Sequence, residues 1–255
     1  MKKLIFILLI LTGGFFVVTD VLYAAHILEP LGTEIAATPP RGRLFGQIEY
    51  AYSNDDPDEG EEIEAHSLAL EFEIGIGERT QLNLEGEILL EESHGDEEES
   101  GIEEIAFGLK HRFMDETQTL PDAAFLIEFV PGVGLKDDES EIKGSILLTK
   151  NFTNQFLTHL ELGYIYETEN EEEEIENANI FVYNIAPIYR YLPDQLLLIA
   201  ELNGKSNFEE DIHQITIAPE AIYVMNNMAF KLAIPIGVTD DADDIGVRFG
   251  ISKLF

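Results

Sequence analysis

The sequence has no cysteine and no tryptophan, and only 15 of its 255 residues are lysine or arginine. The absence of cysteine excludes disulfide scaffolds, thiolate metal sites and cysteine nucleophiles. Against the few bases stand 50 acidic residues, which give a net charge of −35. This balance argues against a nucleic-acid partner, because phosphate binding needs clustered Lys and Arg. Apolar residues still make up 45% of the chain, so the composition is that of a folded protein and not of a disordered acidic tail.

Long hydrophobic runs are also missing, except at the start of the chain. Met1-Lys2-Lys3 is basic, residues 4–18 are almost entirely apolar, and Tyr23-Ala24-Ala25 supplies small residues suited to cleavage. This order predicts a cleaved secretory signal peptide over residues 1–25. The apolar run is short for a membrane-spanning helix, which needs about 20 residues. We therefore expect an exported protein without spanning helices.

The rest of the sequence has the period of β-strands. In Leu82-Asn83-Leu84-Glu85-Gly86-Glu87-Ile88 apolar or small residues alternate with polar ones, and similar alternation runs through residues 68–76, 156–166 and 230–238. Because successive side chains of a strand point to opposite faces, each segment has one apolar face and one polar or small face. Helical spacing with caps is missing throughout. The pattern predicts an all-β protein.

Acidic residues cluster in six places that together contain 31 of the 50 acids. Short turn signals without acidic runs, such as Gly77-Glu78-Arg79 and Asn226-Asn227, lie halfway between these clusters. Six long acidic loops and five short turns are eleven connections, and eleven connections join twelve strands. The acidic clusters are at 55–64, 91–99, 137–141, 167–176, 209–211 and 240–244. The predicted strands are 43–53, 62–76, 80–91, 102–113, 122–133, 142–152, 155–167, 178–191, 195–204, 212–225, 228–238 and 245–255.

Several features favour a membrane barrel over a soluble exported barrel or sandwich, which the alternation alone leaves open. The chain is exported, long and short connections alternate, and the strands exceed the length of about 5–6 residues that is commonest in globular proteins. The last strand carries Phe249, Ile251 and Phe255 on one face. A terminal aromatic strand of this kind resembles the assembly signal of outer-membrane barrels. An even number of strands also places both chain ends on the side of the short turns, as in those barrels.

We therefore expect an all-β fold, a twelve-stranded antiparallel transmembrane β-barrel in the outer membrane of a Gram-negative bacterium. Short turns would face the periplasm, and the long acidic loops would be extracellular. The expected organisation is a signal peptide at 1–25, an N-terminal periplasmic segment at 26–42 and the barrel at 43–255.

Several motifs resemble the exported family named for the MetA pathway of phenol degradation. They are Glu29-Pro30-Leu31-Gly32-Thr33-Glu34, the turn Gly77-Glu78-Arg79-Thr80-Gln81-Leu82, the strand Gly108-Leu109-Lys110-His111-Arg112-Phe113, and the last hairpin, residues 237–255. His111 departs from the aromatic residue that is more usual there. The resemblance covers most of the mature chain and implies an outer-membrane barrel transporter. Because the motifs are turns and strand ends, it implies no particular substrate and no catalytic residues.

If the apolar face meets lipid, the opposite face lines the lumen. Carboxylates outnumber bases on that face, and buried charges need partners. Two interpretations remain open: an ionic network that fills a small barrel, or a cation-preferring constriction, since charged rings set the selectivity of pores. The candidate lumen and selectivity residues are Glu71, Glu73, Glu85, Glu87, Lys110, Arg112, Glu128, Glu161, Glu201, Lys231 and Arg248.

The predicted function is passive diffusion of small solutes through this lumen, with cations or small aromatic and hydrophobic compounds as the candidate solutes. The alternative is a structural barrel without a through-pore, whose acidic loops bind ions or partners. The expected partners are outer-membrane lipid, the barrel-assembly machinery through Phe255, and a small-molecule solute, but not nucleic acid.

No cofactor, defined metal site or catalytic residue is predicted. The acidic loops are candidates for loosely bound Ca²⁺ or Mg²⁺, which prefer carboxylate oxygens, but like-charge runs are usually solvated. A lipid-modifying barrel would need a Ser and a His within reach of each other. His66 and Ser67 are adjacent in one predicted strand and so point to opposite faces. We therefore expect no enzymatic activity.

Overall fold

The computed structural model describes residues 28–55, 63–94, 97–136, 139–170, 175–193, 195–208 and 211–255. The predicted signal peptide lies outside these ranges, as do the centres of most acidic clusters. Within them, no helix has the length and apolar character needed to cross a membrane. The strands are β1 (Leu44–Asp55), β2 (Ile63–Gly75), β3 (Thr80–His94), β4 (Glu97–Met114), β5 (Asp122–Val130), β6 (Glu139–Asn151), β7 (Phe156–Asn170), β8 (Ile175–Leu192), β9 (Leu196–Asn207), β10 (Ile212–Met225), β11 (Met228–Ala233), β12 (Ile236–Gly237) and β13 (Ile245–Leu254).

All the strands form one antiparallel sheet in chain order, and β13 pairs with β1 to close it. The strands β11 and β12 occupy one position in the wall, because both lie between β10 and β13. Pro235 separates them, since proline has no N–H to donate to the ladder. The wall therefore has twelve strand positions and closes on itself, which confirms the predicted barrel.

The two ends of the barrel differ in their connections. We call the end with the five short connections the turn end, and the opposite end the loop end. Asn226 and Asn227 form a two-residue turn with φ of 50° and 69°, the backbone that a tight hairpin requires. The chain enters β1 and leaves β13 at the turn end, as the even strand number predicts.

Two of the predicted acidic loops are shorter than expected. The clusters 91–99 and 167–176 lie largely in strand, because β3 and β4 extend to residues 94 and 97, and β7 and β8 to residues 170 and 175. Backbone ladders continue as long as both strands supply N–H and C=O groups, and acidic side chains in water do not stop them. The prediction of loop from acidity alone was therefore wrong over these stretches.

The alternation along the strands separates the two faces of the wall. On β3, Leu82 and Leu84 are each 44% exposed, whereas Gln81 and Asn83 are buried. Exposed apolar side chains recur on the outer face around the barrel, as a lipid-facing belt requires. The interior is not uniformly polar, however. At the turn end a cluster of apolar side chains fills it, formed by Phe45, Leu157, Ala186, Ile188, Leu197, Ile199, Ile222, Ala229 and Leu254.

The N-terminal segment was expected to be periplasmic, but its described part lies inside the barrel. Within residues 28–42, the side chains of Glu29, Leu31, Thr33, Ile35 and Ala36 are buried. Their hydrogen-bond partners are residues of the wall strands or of the segment itself. The physical reason is that wall carboxylates satisfy the backbone N–H groups of the segment, while its apolar side chains pack on apolar interior positions. We call residues 28–40 the inner segment.

Candidate functional site

The inner segment enters the interior from the turn end and returns to it. Leu28 packs against the apolar cluster at that end. Farther in, Leu31 N donates to Glu220 Oε2 at 3.1 Å and Gly32 N donates to Glu201 Oε1 at 3.3 Å. Thr33 lies beside Asn203, with Oγ1 3.5 Å from Asn203 Oδ1. These contacts lie on β9 and β10, on one side of the barrel.

The segment then crosses to the opposite wall before it leaves. Ala36 N donates to Thr149 Oγ1 on β6 at 3.3 Å, and Gly42 N donates to Gly75 O on β2 at 2.7 Å. A Cβ at Gly75 would lie 2.3 Å from the carbonyl oxygen of Pro40. Only glycine therefore allows the segment to pass so close to the end of β2. The inner segment thus spans the interior from one wall to the other.

Lys110, predicted as a selectivity residue, holds the inner segment. Its fully buried Nζ lies 2.9 Å from Glu34 Oε2 and 3.9 Å from Glu29 Oε1, both on the segment. The same nitrogen lies 3.2 Å from Glu73 Oε1 on β2. A buried ammonium needs such partners to offset its desolvation. Lys110 therefore joins two wall strands to the segment.

A second interior network lies on β5 to β8. Lys143 Nζ is 3.2 Å from Glu128 Oε2 and 3.1 Å from Glu161 Oε1. Glu161 also accepts hydrogen bonds from Ser145 Oγ and Asn184 Nδ2, each at 2.9 Å. The carboxylate is therefore fully engaged, and this network has the filling role of the first interpretation of the lumen.

The remaining predicted bases have separate partners. Lys231 donates to Gln47 and lies over the Phe45 ring, 5.9 Å from its centre. Arg248 donates to Glu49 on the neighbouring strand β1. Arg112 lies at the turn end, 3.7 Å from Asp115 and 3.8 Å from Asp122. Arg112 is thus placed at the rim and away from the middle of the lumen, because its strand ends two residues later.

A cavity of about 630 Å³ lies above the inner segment, toward the loop end. Eleven acidic residues line it, against the three bases Lys143, Lys205 and Arg248. The acidic excess gives the cavity a negative field, which raises the local concentration of cations. Of the predicted lumen residues, six line this cavity: Glu71, Glu85, Glu87, Glu128, Glu161 and Arg248. The other five are engaged below it: Glu73, Lys110, Arg112, Glu201 and Lys231.

The loop between β12 and β13 folds toward this cavity. Asp243 is among the lining residues, and Ala242 is buried. Asp241 Oδ2 accepts a hydrogen bond from His213 N at 2.7 Å, and Thr239 Oγ1 accepts one from Ile215 N at 2.9 Å. The loop is therefore fastened to β10 and contributes Asp243 to the lining of the cavity.

The predicted assembly signal lies on the outer face. Phe249 and Phe255 are 43% and 39% exposed, and Lys253 Nζ lies 4.8 Å from the centre of the Phe255 ring. The last strand pairs with both β1 and β11. A role of these aromatic residues in assembly stays a prediction.

The histidines that a catalytic hypothesis would require have other partners. His66 Nδ1 pairs with Tyr50 Oη at 2.7 Å on the outer face, and His159 Nδ1 pairs with Thr149 Oγ1 at 2.8 Å inside. Thr149 also accepts from the inner segment. Both histidines therefore have contacts that fit structural roles.

Sequence reasoning missed the inner segment as part of the site. Glu29 and Glu34 were assigned to a periplasmic stretch, although both contact Lys110. The signal that pointed inward was the apolar content of the segment. Leu28, Leu31 and Ile35 follow the signal peptide at a place where a solvated linker would be polar.

No family model matches the sequence, and no curated protein matches it either. Solved structures do resemble the fold. The COG4313 outer membrane channel from Pseudomonas putida F1 superposes with a TM-score of 0.69 at 10% identity, covering 86% of this chain and 98% of that one. The KdgM porin gives a TM-score of 0.55 at 13% identity, over 82% and 99%.

The translocator domain of the autotransporter NalP from Neisseria meningitidis also superposes, with a TM-score of 0.56 at 10% identity over 92% of each chain. At such identities the similarity shows the fold alone. That fold is the closed barrel of outer-membrane proteins, and it serves proteins described as a channel, a porin and a translocator domain. The function has to be argued from the interior of this chain.

Proposed function

We propose that this protein is an outer-membrane channel for small solutes, with cations preferred over anions. The observation that carries the proposal is the cavity of about 630 Å³ with its eleven acidic and three basic lining residues. Carboxylates that line a water-filled path attract cations and repel anions. The proposed orientation is that of bacterial outer-membrane barrels, with the turn end toward the periplasm and the loop end toward the cell exterior. Membership of the family named for the MetA pathway is part of this proposal, supported by the shared motifs and the fold.

The solutes are small and polar. Apolar side chains such as Leu70 and Ile165 also line the cavity, but carboxylates reach it from many wall strands, and an aromatic hydrocarbon would displace the water that solvates them. Small hydrophobic compounds are therefore the less favoured solute class. Passage is passive diffusion, in which the charge of the cavity lining discriminates between solutes.

The inner segment limits the flow through the barrel. It crosses the interior between Glu201 and Thr149, below the cavity and above the apolar cluster. Solutes pass when the segment and the side chains of the apolar cluster below it move aside, while the hydrogen bond from Gly42 N to Gly75 O holds the end of the segment at the wall.

A structural barrel without a through-path is the second candidate. The apolar cluster at the turn end favours it, because Phe45, Ile188 and Ile222 fill the interior there to full burial. In that case the acidic cavity toward the loop end would bind ions or partners, and no solute would cross the barrel. Reconstitution into planar bilayers separates the two candidates, since only the first gives channel events from folded protein.

The test of cation preference uses the double variant Glu85→Gln/Glu87→Gln. Both residues line the cavity, and glutamine keeps their size while it removes two charges. We expect the reversal potential in a salt gradient to show cation preference for the wild type and a clearly weaker preference for the variant. Glu78→Gln, in an exposed turn, is the control and should leave the reversal potential unchanged. Equal reversal potentials in all three proteins would refute selection by the cavity.

A further inference from the structure

Five carboxylates meet where the inner segment touches strands β2 and β3. Glu29, Glu71 and Glu73 bring one carboxylate oxygen each within 4.8 Å of one another. Glu34, Glu71 and Glu85 form a second group of the same size. The two groups share Glu71, which therefore stands at the centre. Two of the five acids belong to the segment and three to the wall.

The hydrogen bonds at this cluster leave three oxygens without a partner. Glu29 is only 5% exposed; its Oε1 accepts from Ile35 N at 3.0 Å, while its Oε2 is buried and has no hydrogen bond. Glu71 Oε2 accepts from Gln47, whereas Glu71 Oε1 is buried without a partner. Glu85 Oε1 is also buried without a hydrogen-bond partner. A buried oxygen without a donor is costly, so these three acceptor atoms at one place offer ligands to a cation.

The charges lead to the same conclusion. Among the described residues, Lys110 is the base in ion-pair contact with this cluster, and it reaches Glu29, Glu34 and Glu73. No ion pair to Glu71 or Glu85 lies within the described part of the chain. One ammonium group cannot balance five close carboxylates, because neighbouring like charges oppose each other's ionisation. A cation near Glu71 would relieve this repulsion.

We propose that this cluster is a binding site for a divalent cation, Ca²⁺ in particular, which joins the inner segment to the barrel wall. The donors are all carboxylate oxygens, which suit hard cations and not the thiolate- or imidazole-seeking metals. Ca²⁺ accepts six to eight oxygens in flexible geometry, whereas Mg²⁺ demands a near-ideal octahedron and retains its waters. Four of the five acids also line the cavity, so a cation has a route from the loop end.

The site couples cation binding to the position of the segment. Glu29 and Glu34 move with the segment, while Glu71, Glu73 and Glu85 stay with the wall. A bound cation therefore stabilises the seated segment, and its loss weakens the contact. This coupling concerns binding only and does not depend on whether solutes cross the barrel.

The test is calorimetric titration of the folded, detergent-solubilised full barrel with CaCl₂, together with thermal unfolding in CaCl₂ and in EDTA. We expect one site that is distinct from the weak binding to surface acids, and a higher Tm in CaCl₂. In Glu71→Gln, which removes the shared ligand, the affinity of that site should fall at least tenfold and the Tm difference should disappear. Titration with MgCl₂ should give weaker binding at this site.

Glu87→Gln is the matched control. Glu87 is on the same strand as Glu85 and lines the cavity, but it belongs to neither carboxylate group. This variant should bind Ca²⁺ as the wild type does. Equal Ca²⁺ affinity and equal Tm differences in wild type and Glu71→Gln would overturn the proposal, because binding would then belong to the surface acids alone.

Folding of the variants is checked by heat-dependent mobility in gel electrophoresis. If Glu71→Gln does not fold, Glu85→Gln replaces it. That variant removes one ligand of the second group and should weaken Ca²⁺ binding by a measurable factor. Wild-type affinity in Glu85→Gln would likewise count against the site.

Discussion

The two halves of the barrel interior differ although one alternating sequence pattern builds both. At the turn end the inward positions are apolar, as in Ile188, Leu197 and Ile222, and they pack to full burial. Toward the loop end the inward positions are mostly charged or polar and line a cavity. The outer face is apolar beside both halves. The pattern of a strand therefore fixes which face meets lipid, while the residues on the other face decide whether the interior is packed or wet.

The inner segment lies at the boundary between these halves, and it has apolar side chains for one half and acidic side chains for the other. Leu28 packs on the apolar cluster, and Glu29 and Glu34 reach Lys110. Its hydrogen bonds to Glu201 and Glu220 lie farther in. The segment thus closes the acidic half against the apolar half. Changes to the segment, to the apolar half and to the rim of the turn end should therefore have effects of decreasing size.

The largest effect is expected when the segment loses its wall acceptors. In Glu201→Ala/Glu220→Ala, the N–H groups of Leu31 and Gly32 lose both carboxylates. Because buried N–H groups need acceptors, the seated position is weakened. We expect single-channel conductance in planar bilayers to rise several-fold.

The control for this variant is Glu78→Ala, in the exposed turn between β2 and β3, which removes a carboxylate that is not among the segment's hydrogen-bond acceptors. Its conductance should stay close to that of the wild type. If the double variant conducts no better than this control, the segment does not limit the flow.

A smaller effect is expected from a hole in the apolar half. Phe45 is fully buried in the cluster, so Phe45→Ala removes packing and leaves a cavity. We expect the free energy of unfolding in urea to fall by about 3–5 kcal/mol. Ile142, on the outer face and 54% exposed, is the comparison. Replacement of Ile142 by Ala should cost less, about 1–2 kcal/mol, because the variant loses only the transfer of apolar side-chain surface from water into lipid and leaves no internal cavity.

The smallest effect is expected at the rim of the turn end. Glu116 accepts hydrogen bonds from Lys150 Nζ and Asn151 N, each at 3.0 Å. Partial burial opposes its ionisation, but the hydrogen bonds from Asn151 and Lys150 outweigh it and lower the pKa of the Glu116 carboxyl. A lowered folded pKa stabilises the protein above the unfolded pKa, and this stability is lost as the pH falls through the folded value.

We therefore expect wild type to exceed Glu116→Gln in unfolding free energy by about 1 kcal/mol at pH 7. The difference should shrink as the pH drops below about 4.3. Urea unfolding of both proteins between pH 7 and pH 3 measures it. A constant difference over this range would mean that the charge of Glu116 contributes nothing.

The sequence predicts the barrel wall well because each part of it follows from a local rule. Strand faces follow from the alternation, and the turn at Asn226 and Asn227 follows from residues that tolerate positive φ. Acidity predicts loops less well, since the ladder of β3 and β4 continues through Glu92 and Glu99. Side-chain charge disfavours such pairing only weakly.

The interior of the barrel is less predictable. The pairing of Lys110 with Glu34 joins residues 76 apart in the chain, and no period in the sequence encodes that contact. The inward turn of the inner segment depends on acceptors at Glu201 and Glu220, on strands far along the chain. Contacts of this kind depend on how the closed wall places distant strands, so they can be predicted only when the three-dimensional arrangement of the strands is known.

The most direct measurement locks the inner segment in place. A Cβ at Gly32 would lie 2.8 Å from Nδ2 at the end of the Asn203 side chain, so cysteine side chains at these two positions approach each other and are the pair to test for a disulfide. The natural chain has no cysteine, so Gly32→Cys/Asn203→Cys gives a single defined pair. Bilayer conductance is recorded before and after reduction, with mass spectrometry to confirm the cross-link and with each single variant as control. We predict conductance at least tenfold lower in the oxidised form and recovery on reduction; equal conductance in the two forms would contradict the account.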